Sequence, residues 1–104
     1  RFPDRFGFVY NNAALAARDL GTRKANEGDA AGAKSLWERS YAHYEKALIL
    51  SPDDPRILND CGLMLVYHLE RDYDRARSLF ERAIELGLGQ LQALGEDAPR
   101  GQRE

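Results

Sequence analysis

Residues 44–50 read Tyr-Glu-Lys-Ala-Leu-Ile-Leu, and residues 80–86 read Phe-Glu-Arg-Ala-Ile-Glu-Leu, so the same short sequence occurs twice with conservative changes. Ser40 and Ala76, which precede the two copies, are also 36 positions apart. A fixed period of this length is typical of helical repeat arrays, in which each unit buries its apolar face against the next. The chain is therefore predicted to contain two copies of one helical unit.

Apolar residues recur at helical spacing almost throughout, and the alternation typical of strands is absent. We therefore predict an all-α fold of two antiparallel helix-turn-helix hairpins. The first hairpin pairs a helix over about residues 8–27 with a helix that follows Asp29 and ends near Leu50. Asp29 is a good N-cap because its carboxylate can accept hydrogen bonds from free amides of the first turn. Pro3 and Gly7 are expected to lie in a loose segment before the first helix.

The segment Ser-Pro-Asp-Asp-Pro at residues 51–55 separates the two hairpins, because proline cannot continue a helix. Asp54 can cap the third helix, with a proline at the first helical position. The fourth helix is predicted to follow a turn at residues 71–74 and to end toward Gly87. A short further helical segment is expected in the tail, residues 88–104, which carries a weak apolar stripe: Leu88, Leu91 and Leu94.

The composition fits one small soluble domain of 104 residues, with 43% hydrophobic and 31% charged residues. Apolar runs such as residues 63–67 are much shorter than the roughly 20 residues that span a bilayer, so membrane insertion is not expected. With a net charge of −2, the chain has no excess positive charge to attract a phosphate backbone, so nucleic acid is not an expected partner. Cys61 is the only cysteine, which excludes an intrachain disulfide and favours the cytoplasm without fixing the location. Because the chain begins at Arg1 rather than methionine, we expect an excised piece of a longer protein.

The two units resemble the tetratricopeptide repeat, whose pattern is W-x2-L-G-x2-Y, then A-x3-F, then P. The second unit, about residues 54–87, lacks the closing proline but matches elsewhere: Leu58, Cys61, Gly62, Leu65, Ala76, Phe80 and Ala83. The first unit, about residues 8–52, matches in eight residues: Tyr10, Ala13, Ala14, Ala17, Ser40, Tyr44, Ala47 and Pro52. The resemblance implies a single domain with an α-α superhelix.

The first unit departs from the pattern in its length. Residues 11–15 align with residues 59–63 at an offset of 48, whereas the second helices align at an offset of 36. The first hairpin therefore holds 12 extra residues. If these residues divide evenly around the turn at Gly28-Asp29, each arm gains roughly 9 Å at about 1.5 Å per residue. The first hairpin is expected to extend beyond the second.

In this family the concave face is lined mainly by the first helix of each repeat, and it commonly holds an extended peptide or a helix. The resemblance assigns this groove to seven residues: Asn11, Leu15, Arg18, Arg56, Asn59, Leu63 and Tyr67. Phe8, Asp19 and Val66 lie beside them. Asparagine amides can donate to and accept from a peptide backbone. The alternative is that the two asparagines cap loops or bond neighbouring helices. A clamp for a C-terminal carboxylate is not expected, because only Arg18 and Arg56 could serve it.

No catalytic or metal site is predicted, and no cofactor. His43 and His68 lack the spacing of a ligand motif. Cys61 lies on the core side of its helix, where a buried thiol is inert. One aromatic series has the i, i+4, i+7 spacing of a packing stripe: Trp37, Tyr41 and Tyr44.

The sequence thus predicts a protein-interaction scaffold that holds a protein or peptide. The alternative is a structural spacer or an oligomerisation segment of a larger protein. Repeat arrays need polar outer faces on their terminal units, and this chain offers no clear cap after the fourth helix. We therefore expect that face either to form a homo-oligomer or to be covered by further repeats in a parent protein.

Overall fold

The computed structural model describes the backbone of residues 2–97 and the side chains of residues 7–87. Across residues 2–97 the fold is all-α, without a strand. Helix α1 spans Phe2–Asn26 and α2 spans Ala30–Leu50. Helix α3 spans Pro55–Leu63 and widens into a π-helical segment, Met64–Leu69. Helix α4 spans Tyr73–Asp97.

The two predicted helix starts in the middle of the chain are confirmed. The Asp29 carboxylate accepts a hydrogen bond from the Gly32 amide at 2.9 Å and caps α2. The Asp54 carboxylate accepts from the Arg56 amide at 3.0 Å, with Pro55 at the first position of α3. Both caps satisfy amides that have no partner inside their own helix.

The two outer helix ends differ from the prediction. Helix α1 begins at Phe2, so the expected loose segment before residue 8 is helical. Gly7 lies inside α1, where a Cβ atom would stand 2.2 Å from the Ser51 hydroxyl, so glycine permits the close approach of these segments. Helix α4 continues through Gly87, and the predicted separate C-terminal segment is the last part of α4. A single glycine costs a helix only about 1 kcal/mol, which is too little to end it.

The helices form two hairpins, α1 with α2 and α3 with α4, and α2 also packs against α3 and the π-helical segment. The core lies between the hairpins and includes Tyr44, Cys61, Met64 and Leu65, all fully buried. Small residues let the two helices of each hairpin approach each other closely. A Cβ atom on Gly62 would lie 2.7 Å from the Phe80 ring.

The first hairpin extends beyond the second, as its extra residues predict. The His68 ring, near the end of the second hairpin, contacts the Trp37 ring with 4.8 Å between centroids. Arg71 in the adjoining turn pairs with Glu38. Residues 30–36 of α2 therefore project past this turn, which corresponds to about 10 Å of helix.

Three ion pairs join α4 and the turn before it to α2 and the loop after it. Besides the Arg71–Glu38 pair, Arg75 binds Glu45 at 3.0 Å and Arg82 binds Asp53 at 2.7 Å. Each exposed pair contributes at most about 1 kcal/mol. Together they connect the two hairpins at three separate points.

Candidate partner-binding surface

The first row of predicted groove residues lies on one side of α1. Asn11, Leu15 and Arg18 have i, i+4, i+7 spacing and are all half-buried. Leu15 packs against the buried core, while the Arg18 guanidinium contacts the carboxylate of Asp19 at 3.3 Å. This side of α1 thus combines an apolar centre with polar ends.

The second row lies on α3 and the π-helical segment. Arg56 and Asn59 are exposed, Leu63 is half-buried, and Tyr67 is 71% exposed. A π-helical turn contains more residues than an α-helical turn, so the direction of Tyr67 could not be inferred from its spacing to Leu63. The most exposed aromatic side chain of the predicted groove therefore stands on irregular helix.

A carboxyl group that sequence reasoning missed lies between the two rows. Burial raises the pKa of Asp60, while the nearby charges of Arg18 from α1 and of Arg56 from its own helix lower it. Asp60 is half-buried, and it brings Arg18 into electrostatic contact with α3. Its position four residues after Arg56 was the available signal, because residues at this spacing are neighbours on a helix.

Two buried polar atoms near these rows have no hydrogen-bond partner within the described part of the chain. They are the amide oxygen of Asn11 and the hydroxyl of Tyr44. Burial, together with the charge of Asp60, raises the pKa of Tyr44 to about 12. An unpaired buried polar group costs about 1–3 kcal/mol. The Asn11 side chain would therefore regain a hydrogen bond if a rotation let its amide pair with the main chain of a bound peptide.

The seven predicted residues do not form one depression. Arg56 and Asn59 line a depression of ≈ 460 Å³ together with α4 residues Phe80, Ala83 and Ile84. Arg56 also borders a cleft of ≈ 640 Å³ beside Phe8 and the loop of residues 51–55. Sequence reasoning placed Asn59 opposite α1, whereas the depression that it lines opens toward α4.

The residues interpreted as packing residues do pack. Tyr44 is fully buried, and Trp37 and Tyr41 are partly buried against the core. The Trp37 indole Nε1 donates to the main-chain oxygen of Arg18 at 3.2 Å. Burial and the charge of Arg18 lower the pKa of His68, which lies against Trp37. His43 instead faces Tyr10, with 6.2 Å between ring centroids.

The one thiol of the chain lies in the core. Cys61 is fully buried, and burial raises the pKa of its thiol to about 12, which disfavours the nucleophilic thiolate. Among residues 7–87, no group of three or more metal-binding side chains is close enough to hold an ion. Within the described helices, none combines the length and apolar character needed to cross a bilayer.

Comparison with known proteins found no matching family model, no similar curated protein and no similar solved structure.

Proposed function

We propose that this chain is a protein-interaction module of the tetratricopeptide-repeat type, which binds an extended peptide or a helix across α1 and α3. The proposal rests on the repeat pattern and on the polar and aromatic side chains that α1, α3 and the π-helical segment expose. It involves no cofactor and no catalytic step. Its partner is a protein or peptide segment.

The observation that carries the proposal is the exposure of Tyr67. An aromatic side chain that is 71% exposed gains little from its own fold and offers a large apolar area with a hydroxyl at its end. Tyrosine is enriched at interfaces and among the residues that dominate binding energy. Leu15 and Leu63 of the two rows supply half-buried apolar surface, and the asparagines supply hydrogen-bonding groups.

The partner surface offers both charge signs. Arg18 and Arg56 carry positive charges, and the half-buried Asp60 lies near both of them. A bound segment with one acidic and one basic or amide group would satisfy this arrangement. Because main-chain groups can pair with Asn11 and Asn59, the module does not require a long sequence motif.

Selection from a random peptide display library tests the proposal. We expect Tyr67→Ala to weaken binding of the selected peptides roughly 10- to 30-fold, the effect of removing a dominant aromatic contact. Asn59→Ala should weaken binding less. The matched control is Ile49→Ala, because Ile49 is 75% exposed on α2 and belongs to neither row. Peptides that bind Tyr67→Ala and the parent equally well would refute the proposed surface.

A structural role as a spacer or an oligomerisation segment is the second candidate. It is favoured by Ile84, which is 60% exposed on α4 and borders the depression beside α3. In that case the row containing Tyr67 is unused, and substitutions at Ile84 rather than at Tyr67 change the behaviour of the protein.

A further inference from the structure

The contact between the two hairpins provides a template for a second contact. Helix α3 and the start of the π-helical segment dock onto the first hairpin through one side, with Ile57, Cys61 and Met64 all buried. The same side continues into the π-helical segment, where His68 contacts Trp37 of α2. The charge environment of Tyr41 and Tyr44 on α2 includes Cys61, which places this side of α3 against α2.

The matching side of α1 is left open. At the offset of 48 residues, Ile57 and Cys61 of α3 correspond to Val9 and Ala13, and Met64 and His68 of the π-helical segment correspond to Ala16 and Leu20. Val9 and Leu20 are about half exposed, Ala16 is exposed and Ala13 is half-buried. We call these four residues the α1 face. It has the apolar character of the docking side of α3 but packs against nothing comparable within the described part of the chain.

The receiving side is also duplicated. At the offset of 36 residues, the residues of α2 that receive α3 correspond to residues of α4: Trp37 to Tyr73, Tyr44 to Phe80 and Leu48 to Ile84. Leu48 is only 8% exposed, whereas Ile84 is 60% exposed. We call Tyr73, Phe80 and Ile84 the α4 face. Phe80 and Ile84 of this face line the depression of ≈ 460 Å³.

The charges at the edges of the two faces are complementary. Within the chain, Glu45 of α2 pairs with Arg75 of α4 at 3.0 Å. The equivalent of Glu45 on α4 is Glu81, and the equivalent of Arg75 on α2 is Arg39. Both side chains are exposed, and neither belongs to an ion pair found among the described residues. A contact built on the internal template brings Glu81 of one copy beside Arg39 of another.

We propose that the α1 face of one copy of this chain docks onto the α4 face of a second copy, in a head-to-tail contact that repeats the contact between the two hairpins. Val9 then enters the depression beside Ile84, and Arg39 pairs with Glu81. The extra length of the first hairpin does not obstruct this contact, because it projects past the turn at the end of the second hairpin. Such a heterologous contact leaves one free face at each end, so further copies can add.

Mixing two variants tests the head-to-tail geometry. Ala16→Glu blocks only the α1 face and Ile84→Glu blocks only the α4 face. Each should weaken self-association of the 104-residue chain roughly 100-fold or more, because an unpaired charge becomes buried. An equimolar mixture should form a 1:1 dimer, since each variant retains the face that the other has lost. Ala31→Glu, at the exposed tip of the first hairpin, is the matched control and should associate as the parent does.

Sedimentation velocity from micromolar to millimolar concentration measures these outcomes, and circular dichroism confirms that each variant is folded. A parent chain that remains monomeric throughout overturns the proposal and leaves both faces to other segments. Self-pairing of either blocked variant also overturns it, because that result indicates a symmetric contact through one face. A mixture of Ala16→Glu and Ile84→Glu that does not associate would overturn the proposal as well.

Charge reversal provides a second test that places no charge in the apolar contact. Arg39→Glu and Glu81→Arg should each weaken self-association several-fold, and the double variant should regain most of the loss because the pair is restored with opposite polarity. Additive losses in the double variant would contradict the proposed pairing of these two residues. This test is independent of the peptide-binding surface around Tyr67.

Discussion

The hydroxyl of Ser40 donates a 2.7 Å hydrogen bond to the main-chain oxygen of Ala14, and both residues are completely buried. This bond joins α2 to α1 across the first hairpin. At the equivalent position of the second hairpin stands Ala76, which is also buried but has no hydroxyl. The two hairpins therefore use the same small-residue position with different chemistry.

Replacing Ser40 by alanine should lower the free energy of unfolding by about 0.5–1.5 kcal/mol, the net value of a typical hydrogen bond. The loss stays moderate because the Ala14 oxygen also accepts a hydrogen bond within its own helix. Urea unfolding followed by circular dichroism measures the change. Ser35→Ala, at an exposed site of α2, serves as control and should be neutral or slightly stabilising, since alanine favours helix. Equal effects at the two sites would show that the buried bond contributes nothing.

Gly21→Ala should destabilise the first hairpin. A Cβ atom on Gly21 would lie 2.6 Å from the Trp37 ring and 3.1 Å from the Ala33 main-chain oxygen. The Trp37 ring is held by its hydrogen bond to Arg18 and by its contact with His68. We expect a loss of about 1–3 kcal/mol, because overpacking and the broken hydrogen bond outweigh the helix propensity gained with alanine.

The matched control for Gly21 is Gly87, where a Cβ atom would meet nothing within 4 Å. Gly87→Ala should stabilise the protein by about 0.5–1 kcal/mol through helix propensity alone. Trp37 is the only tryptophan, so its fluorescence should shift to the red in Gly21→Ala and remain unchanged in Gly87→Ala. Stabilisation by both substitutions would show that the Trp37 ring is free to move.

These glycines illustrate what the sequence could and could not predict. The caps at Asp29 and Asp54 were predictable, because a capping carboxylate acts on amides within its own turn. The end of α4 was not predictable, since Gly87 ends a helix or continues it depending on what surrounds it. Glycine is a signal of a turn only where the backbone requires a positive φ, and Gly28 at φ 92° is such a case.

The candidate site was predicted in part for a similar reason. The repeat pattern placed Asn11, Leu15 and Arg18 on one side of α1, because helical period decides which residues share a side, although Leu15 also packs against the core. It did not identify Asp60, whose environment depends on Arg18 from another helix. It also did not predict the π-helical segment under Tyr67 or the depression shared by Asn59 and Ile84. These features arise from the contact between helices rather than from the period of any one helix.

Glu70→Gly should stabilise the turn between the π-helical segment and α4. Glu70 has φ 53° and ψ 50°, the left-handed conformation that costs a residue with a Cβ atom about 1–2 kcal/mol. Glycine removes this cost but loses more entropy on folding, so we expect a net gain of about 0.5–1 kcal/mol. Asp72 at φ 55° is the comparison. Asp72→Gly should increase stability less, because aspartate tolerates this conformation better and the Asp72 carboxylate pairs with Arg71. A melting temperature lowered by Glu70→Gly would contradict the assigned strain.

The stability of the fold should fall as the pH decreases below about 6.5, the ordinary pKa of histidine. Burial against Trp37, together with the charge of Arg18, lowers the pKa of His68 in the folded state. The unfolded chain therefore binds a proton before the folded chain does, and the contribution of neutral His68 is lost between these two pKa values. The contribution of Asp60 to stability depends on pH in the opposite direction. Burial raises its pKa, so this contribution is present at low pH and is lost as the pH rises through the raised pKa.

Urea unfolding of the parent, His68→Gln and Asp60→Asn at several pH values separates the two groups. Between about pH 7 and pH 5, His68→Gln should show a shallower loss of stability than the parent on acidification. Asp60→Asn should lose more stability than the parent as the pH falls through the raised pKa of that carboxyl, because the compensating protonation of Asp60 is absent. Parallel curves for the parent and His68→Gln would mean that the His68 ring is as well solvated in the folded chain as in the unfolded one.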